Sequence, residues 1–130
     1  MISILISLQE LHLHNTWLTR LPPSIKNLTQ LKFLDVETSR ISFLPDGVFQ
    51  GMQELVDLKI ADARITQVSE TVFSGLRKLK RLSLYKNNIT ALARVSNNLL
   101  ALVKLRVNGI HFLSLMSSNL QLKNMLISAT

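Results

Sequence analysis

The chain of 130 residues contains no cysteine. Disulfide bonds and cysteine-ligated metals are therefore excluded, and cysteine usage gives no indication of the redox compartment. Aromatic residues make up only 5% of the chain while hydrophobic residues make up 47%, so the core is expected to be aliphatic. No run approaches the roughly 20 apolar residues that a membrane-spanning helix requires, and no membrane segment is expected.

Acidic residues are missing from the second part of the chain. All eight acids lie within residues 1–70 beside six bases, whereas residues 71–130 contain nine bases and no acid. The formal charge is therefore −2 in the first part and +9 in the second. Such an asymmetry can indicate an anionic partner.

One pattern of aliphatic residues recurs five times. It reads Leu, two residues, Leu, one residue, an aliphatic residue, two residues, a small polar position, one residue and a further aliphatic residue. In the second copy the positions are filled by Leu31, Leu34, Val36, Ser39, Ile41 and Leu44. The copies start at residues 8, 31, 55, 79 and 102, at intervals of 23 or 24 residues. A fixed period in this range predicts a solenoid of stacked coils.

The pattern resembles the leucine-rich repeat over nearly the whole chain, roughly residues 2 to 122. The resemblance implies an α/β solenoid: a curved arc with a parallel sheet on its concave face and short helical turns and coil on its convex face. The second and third repeats, with LPDGVF at 44–49 and TVF at 71–73, are similar to the 24-residue extracellular repeats of Toll-like receptors, variable lymphocyte receptors and matrix proteoglycans. The first repeat, with LTRLPPSIKNLTQL, is similar to intracellular or plant-type repeats.

We interpret residues 1–130 as a single leucine-rich repeat domain. The residues before Leu8 fit the tail of an earlier repeat, and capping repeats are not evident, so we expect a fragment or a truncated product. Leu120, Leu122 and Leu126 are compatible with one further coil.

Alternation of apolar and polar residues predicts one strand in each repeat, with one face buried. The expected strands lie near Glu10–Leu13, Phe33–Val36, Asp57–Ile60, Arg81–Leu84 and Lys104–Val107. The residues expected to align as a buried spine are Leu34, Leu58, Leu82 and Leu105. On the convex side, Asp46-Gly47 is a turn signal, and the rings of Phe49 and Phe73 are expected to point inward.

The resemblance to leucine-rich repeats implies that the small polar position after each strand turns inward and bonds backbone groups of neighbouring coils, where buried main-chain groups need partners. Asn87 suits this role best, since its amide both donates and accepts, and Thr16 and Ser39 are partial substitutes. Ala63 and Ile110 cannot serve, which predicts irregular stacking around the third and fifth repeats.

The outward side chains of the strands form the predicted binding surface, because a solenoid presents an extended concave face. The inward leucines are nearly constant between repeats, whereas the outward residues vary freely. The candidate ligand-binding residues are Phe33, Asp35, Glu37, Asp57, Lys59, Arg81, Tyr85, Lys86, Lys104 and Arg106. The alternative is a solvated sheet face without a partner.

Stacking places Asp35 opposite Lys59 and Asp57 opposite Arg81, so opposite charges are expected to pair between repeats. Lys104 follows Arg81 in a column of like charge, and no acid is adjacent to Arg106 in sequence. The last two repeats are therefore predicted to bind an anionic partner: an acidic protein surface, a sulfated glycan or nucleic acid.

His12 and His14 lie two residues apart and therefore share the outward face of the first predicted strand, beside Glu10. Zinc sites usually recruit three or four firm ligands, and no further histidine or cysteine is near in sequence. We therefore expect no metal at these residues and a surface position for His111. No nucleophile, phosphate-loop or cofactor motif is present, so neither a cofactor nor enzyme activity is expected.

Two sequons, Asn27-Leu28-Thr29 and Asn88-Ile89-Thr90, match the glycosylation acceptor pattern and favour secretion. The resemblance implies the extracellular binding domain of a receptor or adhesion protein, including receptors of innate immunity. The alternative is a cytoplasmic regulatory or sensor segment, such as the repeat domain of a plant nucleotide-binding resistance receptor. The absence of cysteine and the first repeat favour this alternative. A structural remnant or designed fragment without a ligand is the third interpretation.

Overall fold

Six short strands make up one parallel sheet in the computed structural model, which describes residues 6–69, 71–89 and 99–107 and the backbone of 126–129. The strands are β1 (Glu10–His12), β2 (Phe33–Asp35), β3 (Asp57–Lys59), β4 (Arg81–Ser83), β5 (Lys104–Val107) and β6 (Leu126–Ala129). Each strand pairs with the next in chain order. The first five begin at the predicted residues, and the solenoid architecture is confirmed.

The leucine at the centre of each strand lies in register with its counterpart in the next repeat. Leu34 pairs with Leu58, Leu58 with Leu82 and Leu82 with Leu105. All four side chains are buried, so the predicted spine is confirmed. Full burial of one such side chain stabilises the fold by about 1.5–3 kcal/mol.

Among the described residues, turns and one short helix return the chain along the convex side, as predicted. A 3-10 helix spans Pro23–Asn27, and proline suits its first turn because the ring fixes φ and no donor is lost there. Gly47 lies in the turn after Pro45 with φ +79°, a conformation that favours glycine. The rings of Phe49 and Phe73 are fully buried and stack with centroids 5.8 Å apart.

Asn87 bonds neighbouring coils in the predicted way. Its Nδ2 donates to the carbonyls of Ile60 at 2.6 Å and Leu84 at 3.2 Å, and its Oδ1 accepts from the Ile65 amide at 3.2 Å. Two of these three groups belong to the third repeat, where Ala63 has no polar side chain. The expected irregularity around Ala63 is therefore wrong: β2, β3 and β4 pair in register, because the asparagine of the following coil binds the backbone there.

The corresponding position of the fifth repeat, Ile110, lies outside the described residues. In the second repeat, Ser39 Oγ accepts from the Ile41 amide at 3.4 Å, and in the first repeat Thr16 Oγ1 accepts from the Leu18 amide at 3.4 Å. These local bonds do not reach a second coil, as expected of the shorter side chains.

The third residue after each of the first four strands adopts a left-handed backbone conformation. These residues are Asn15, Thr38, Asp62 and Lys86, with φ between 52° and 57°. Asparagine and aspartate tolerate this conformation best among residues with a Cβ, whereas it is unusual for a β-branched residue such as threonine. This turn therefore recurs three residues after the end of each of the first four strands.

A sixth strand extends the sheet at the end where only a weak pattern was visible. Strand β6 pairs with β5 in parallel, with Ile127 opposite Leu105. Leu126 begins this strand, while Leu120 and Leu122 lie outside the described residues. The backbone pairing supports the further coil that these three leucines suggested.

Candidate functional site

The outward side chains of the strands meet on one face of the sheet. Because side chains alternate along a strand, the residues on either side of each buried leucine point away from the core. In β3 these are Asp57 and Lys59, and in β4 they are Arg81 and Ser83. The parallel register brings them together in columns across the repeats, and we call this surface the concave face.

Nine of the ten candidate ligand-binding residues reach the surface in whole or in part. The exposed ones are Arg81, Lys86 and Lys104, and the half-buried ones are Phe33, Glu37, Asp57, Lys59, Tyr85 and Arg106. Asp35 is the exception, since the residue is only 8% exposed. Asp35 lies on the predicted face of the sheet, but its neighbours cover its side chain. The prediction that this side chain is exposed is therefore wrong.

Asp35 is held by contacts within the first two repeats. Its Oδ1 accepts a hydrogen bond from the Glu37 amide at 3.0 Å, and its Oδ2 lies 3.4 Å from Nδ1 of His14. The expected ion pair with Lys59 does not form among the described residues, although the two Cα atoms are partners in the sheet. Instead, the Lys59 ammonium lies 5.4 Å from the centroid of the Phe33 ring.

The second expected charge pair is present. Arg81 Nε donates to Asp57 Oδ2 at 2.9 Å, and the Asp57 carboxylate is only 16% exposed. A comparable pair lies outside the concave strands, where Lys78 Nζ is 2.9 Å from Glu54 Oε1. Asp57–Arg81 joins the third repeat to the fourth, and Glu54–Lys78 joins the ends of the second and third repeats. Exposed ion pairs of this kind contribute about 0–1 kcal/mol each, so they set side-chain positions more than stability.

The next step along the sheet brings bases together. Arg81 pairs in register with Lys104, and Ser83 with Arg106. The Arg106 guanidinium lies 4.3 Å from the centroid of the Tyr85 ring, a cation–π arrangement. Strands lie about 4.8 Å apart, which is less than the Debye length of about 8 Å at physiological salt, so the aligned bases repel one another.

A shallow groove crosses the concave face between β3 and β5. Its charged walls are formed by Glu37, Asp57, Lys59, Arg81, Lys104 and Arg106, and Leu82 and Ser83 contribute to its lining. Four bases thus face two acids, and Arg81 already binds one of the acids. The Oγ of Ser83 is buried without a hydrogen-bond partner, the one such side-chain atom in the described part of the chain.

Three chemically reactive side chains meet at the other end of the concave face, and sequence reasoning missed this grouping. His12 and Asp35 are register partners in β1 and β2, and the ligand atoms of His12, His14 and Asp35 all lie within 4.8 Å of one another. No third ligand lies near the two histidines in sequence, because Asp35 belongs to the next repeat. The repeat interval of 23 residues places Asp35 at the same position as His12, and this was the available signal.

The two sequon asparagines are exposed. Asn27 ends the 3-10 helix on the convex side, and the backbone amide of Asn88 donates to the Ile65 carbonyl at 3.0 Å. Thr90 of the second sequon lies outside the described residues. Glycosylation at both positions stays a prediction. Within the described ranges, no helix is long and apolar enough to cross a bilayer.

Family models agree with the architecture. A model described as "Leucine rich repeat" matches residues 29–89 and 53–120, and one described as "Leucine Rich repeats (2 copies)" matches residues 6–46. The two matches of the first model together span residues 29–120, which is more than half of the chain. No curated protein sequence matches significantly.

Solved structures with the same fold come from several proteins. The Drosophila Toll–Spatzle complex matches with a TM-score of 0.76 and 23% identity, over 93% of this chain and 18% of that chain. The TLR13–ssRNA13 complex matches with a TM-score of 0.74 and 28% identity, over 87% and 17%. A leucine-rich repeat protein of Leptospira interrogans matches with 0.73 and 21%, over 98% and 38%. The chain thus spans well under half the length of each of these structures.

Proposed function

This chain belongs to the leucine-rich repeat family, and we propose that its concave face recognises a protein partner through an acidic surface that fits between β3 and β5. The family is generally a non-enzymatic binding scaffold, which agrees with the absence of a catalytic motif from the sequence. The observation that carries the proposal is the alignment of Arg81, Lys104 and Arg106 around one groove, with a single acid, Asp57, bonded to one of them.

The arrangement of these bases favours a ligand over a merely solvated surface. Aligned like charges cost free energy in the isolated protein, and an anionic partner converts that repulsion into attraction. The neighbouring ion pairs Asp57–Arg81 and Glu54–Lys78 show how the same scaffold neutralises charge where acids are present. From residue 71 onward the sequence contains no acid, and an acidic partner would supply the neutralising groups for Lys104 and Arg106.

Nucleic acid is the second candidate partner, because the same bases suit phosphate and the TLR13 structure of similar fold is a complex with ssRNA13. Single-stranded nucleic acid is usually bound by several aromatic side chains on which bases stack. Tyr85 is one such ring on the concave face, and the Arg106 guanidinium already lies over it. The half-buried Phe33 lies two repeats away and is covered by His12 and Lys59. A protein partner therefore fits this surface better.

A charge-reversal experiment tests the proposal. Lys104→Glu/Arg106→Glu changes the groove, and Lys26→Glu/Arg77→Glu applies the same change in net charge to exposed bases of the convex side. Binding is measured by biolayer interferometry against poly-L-glutamate and a single-stranded oligonucleotide, and partners captured by the wild type are then identified and titrated individually.

We expect the groove variant to lose at least about tenfold in affinity for acidic protein partners, equivalent to about 1.4 kcal/mol, while the convex variant keeps it. Equal losses in both variants would show a nonspecific charge effect and contradict a groove site. Tighter binding to the oligonucleotide would assign the groove to nucleic acid instead. The logarithm of the binding constant would then fall with the logarithm of the salt concentration with a slope of about −2, as expected for three phosphates on a single strand.

The cellular setting is a further part of the proposal. Extracellular-type repeats and the exposed sequon asparagines support the ectodomain of a receptor or adhesion protein, including one of innate immunity, whereas the plant-type first repeat supports a cytoplasmic sensor segment. Expression with a secretion signal in eukaryotic cells, followed by mass spectrometry of the peptides containing Asn27 and Asn88, distinguishes the two. Glycan at either asparagine is expected for the ectodomain, and two unmodified asparagines would favour the sensor.

A further inference from the structure

His12, His14 and Asp35 form a compact group of ligand atoms between the first two repeats, and we call them the His12/His14/Asp35 cluster. The extended backbone continues past β1, because the Leu13 amide donates to the Asp35 carbonyl at 2.7 Å and the Asn15 amide to the Glu37 carbonyl at 2.9 Å. His12 and His14 therefore stay on the same side of the chain. Parallel pairing sets Asp35 directly beside His12.

The distances within the cluster suit a small divalent ion. His14 Nδ1 and Asp35 Oδ2 are 3.4 Å apart. Two ligands bound at about 2.0–2.1 Å to a tetrahedral zinc ion are separated by about 3.4 Å. All three ligand atoms lie within 4.8 Å of one another, and both histidine side chains are about half exposed, at 49% and 58%.

The neighbours of the cluster fix its ligands in the way that metal sites require. The Glu37 amide donates to Asp35 Oδ1 and leaves Oδ2 directed toward His14. The Glu10 carboxylate lies 3.4 Å from Nε2 of His12, where it can accept a hydrogen bond from Nε2–H when Nδ1 is the ligand. Such outer hydrogen bonds orient ligating side chains and raise metal affinity.

Asp35 also needs a cation more than any other acid of this face. It is the only acidic residue that is buried in the described part of the chain, and it has no ion pair with lysine or arginine there. A buried carboxylate is costly without a compensating charge. His14 supplies that charge only in its protonated form, whereas a divalent ion supplies it with neutral imidazoles.

We propose that the His12/His14/Asp35 cluster binds one divalent transition-metal ion, with zinc as the best chemical match. Two imidazoles and one carboxylate are a ligand set of zinc with one position left for water or a partner's side chain. Two of the ligands belong to the first repeat and one to the second, so the bound ion would cross-link these two coils at the edge of the sheet. The site is distinct from the groove between β3 and β5.

Zinc and cobalt titrations test the proposal on the whole chain. Isothermal titration calorimetry with zinc chloride is expected to give one ion per chain, and cobalt chloride is expected to give visible d–d absorption bands. His12→Ala, His14→Ala and Asp35→Asn should each lower the zinc affinity by at least about tenfold. Asparagine keeps an oxygen that can accept from the Glu37 amide, so this variant preserves the fold while it removes the charge.

His111→Ala provides the matched control, because His111 is the third histidine of the chain; it lies outside the described residues and is not among the proposed ligands. This variant should bind zinc as the wild type does. Failure of zinc and cobalt to bind the wild type at submillimolar concentration would overturn the proposal. It would be overturned equally by an unchanged affinity of Asp35→Asn, or by a loss in His111→Ala as large as that in His14→Ala.

Hydrogen exchange distinguishes an ion that cross-links the two repeats from an ion that is loosely held at the surface. With zinc bound, the amides of Leu13 and Asn15, which bridge the two repeats, should exchange several-fold more slowly. The Leu84 amide, which donates to the Arg106 carbonyl at 2.8 Å, should be unchanged. Zinc binding without slower amide exchange at Leu13 and Asn15 would contradict cross-linking of the two repeats by the ion.

Discussion

The first and second repeats carry the same aliphatic pattern but differ in how deeply the structure buries it. In the second repeat, Leu34 and Val36 are fully buried. Their counterparts in the first repeat, Leu11 and Leu13, are only half-buried and pack against the edge of the core. The two pairs lie at equivalent positions, and Leu11 is the register partner of Leu34.

The difference shows that pattern and burial have separate origins. The repeat pattern decides which side chains point inward, whereas the depth of burial depends on coils stacked on both sides. The stability of a solenoid is approximately a sum of repeat terms and nearest-neighbour interfaces. We therefore expect the same substitution to cost more in the interior repeats than in the first one.

The largest effect is expected for a charge in the interior spine. Leu58→Asp removes about 1.5–3 kcal/mol of burial and places an unpaired charge in the core, against a total stability of about 5–15 kcal/mol. We expect this variant to lose the cooperative melt in circular dichroism. Leu11→Asp should retain a cooperative melt, because its carboxylate can reach water from a half-buried position.

Unfolding of both aspartate variants would contradict a difference between the repeats. Retention of the fold by Leu58→Asp would contradict the inward direction of the spine itself. A second control is Lys59→Asp, which places the same side chain on the concave face one residue away, and its melt should stay cooperative.

A truncation without charge gives a graded form of the same comparison. Leu34→Ala should lower the free energy of unfolding by about 2–5 kcal/mol, since a fully buried leucine leaves a cavity. Leu11→Ala should lower it by about 1 kcal/mol, because part of that side chain already contacts water. Urea denaturation followed by circular dichroism measures both values, and equal losses would show that the first repeat is as well packed as the second.

The polar position after the strand extends the comparison to hydrogen bonds. Asn87→Ala should cost about 2–3 kcal/mol, because the substitution leaves the Ile65 amide and the Ile60 carbonyl buried without their partner. Thr16→Ala, at the same position of the first repeat, should cost at most about 0.5 kcal/mol, since water can replace its single bond to Leu18. The same urea titrations measure both losses, and a small loss for Asn87→Ala would show that the third coil does not depend on it.

The strands, the spine and the convex phenylalanines could be predicted from the sequence because each depends on a period that the chain repeats. The depth of Asp35 could not. Alternation assigns a residue to a face, but His14 and the Glu37 backbone decide how much of the carboxylate is covered. Regular stacking at Ala63 was missed for a related reason, because Asn87 of the next coil binds the backbone that Ala63 cannot.

The candidate sites divide in the same manner. The column that joins Arg81 to Lys104 follows from the repeat interval alone, and the pair of Asp57 with Arg81 was predicted from it. The grouping of His12 with Asp35 follows from the same interval, but it is not visible among residues that are adjacent in sequence. In a solenoid, residues separated by one repeat interval in sequence are adjacent in the sheet, so a site can combine side chains from neighbouring coils.

The smallest expected effect concerns the left-handed residue that follows each strand, where the first two repeats again differ. The first repeat has Asn15 at this position and the second has Thr38, with φ of 55° and 53°. A left-handed conformation costs about 1–2 kcal/mol for most residues with a Cβ, and asparagine tolerates it better than a β-branched side chain. Thr38→Asn should therefore raise the free energy of unfolding by about 0.5–1 kcal/mol.

The reciprocal change tests the backbone explanation against one based on contacts. Asn15→Thr should lower the free energy of unfolding by a similar amount, whereas Thr19→Asn, at an exposed position without this conformation, should leave it within about 0.5 kcal/mol. Thr38→Asn also loses the long contact of Thr38 Oγ1 with Asp62 Oδ2 at 3.5 Å, which works against the expected gain. If Thr38→Asn raises the free energy of unfolding although this contact is lost, and Asn15→Thr lowers it, the effect is due to φ. The two sites share that backbone angle but differ in their side-chain neighbours.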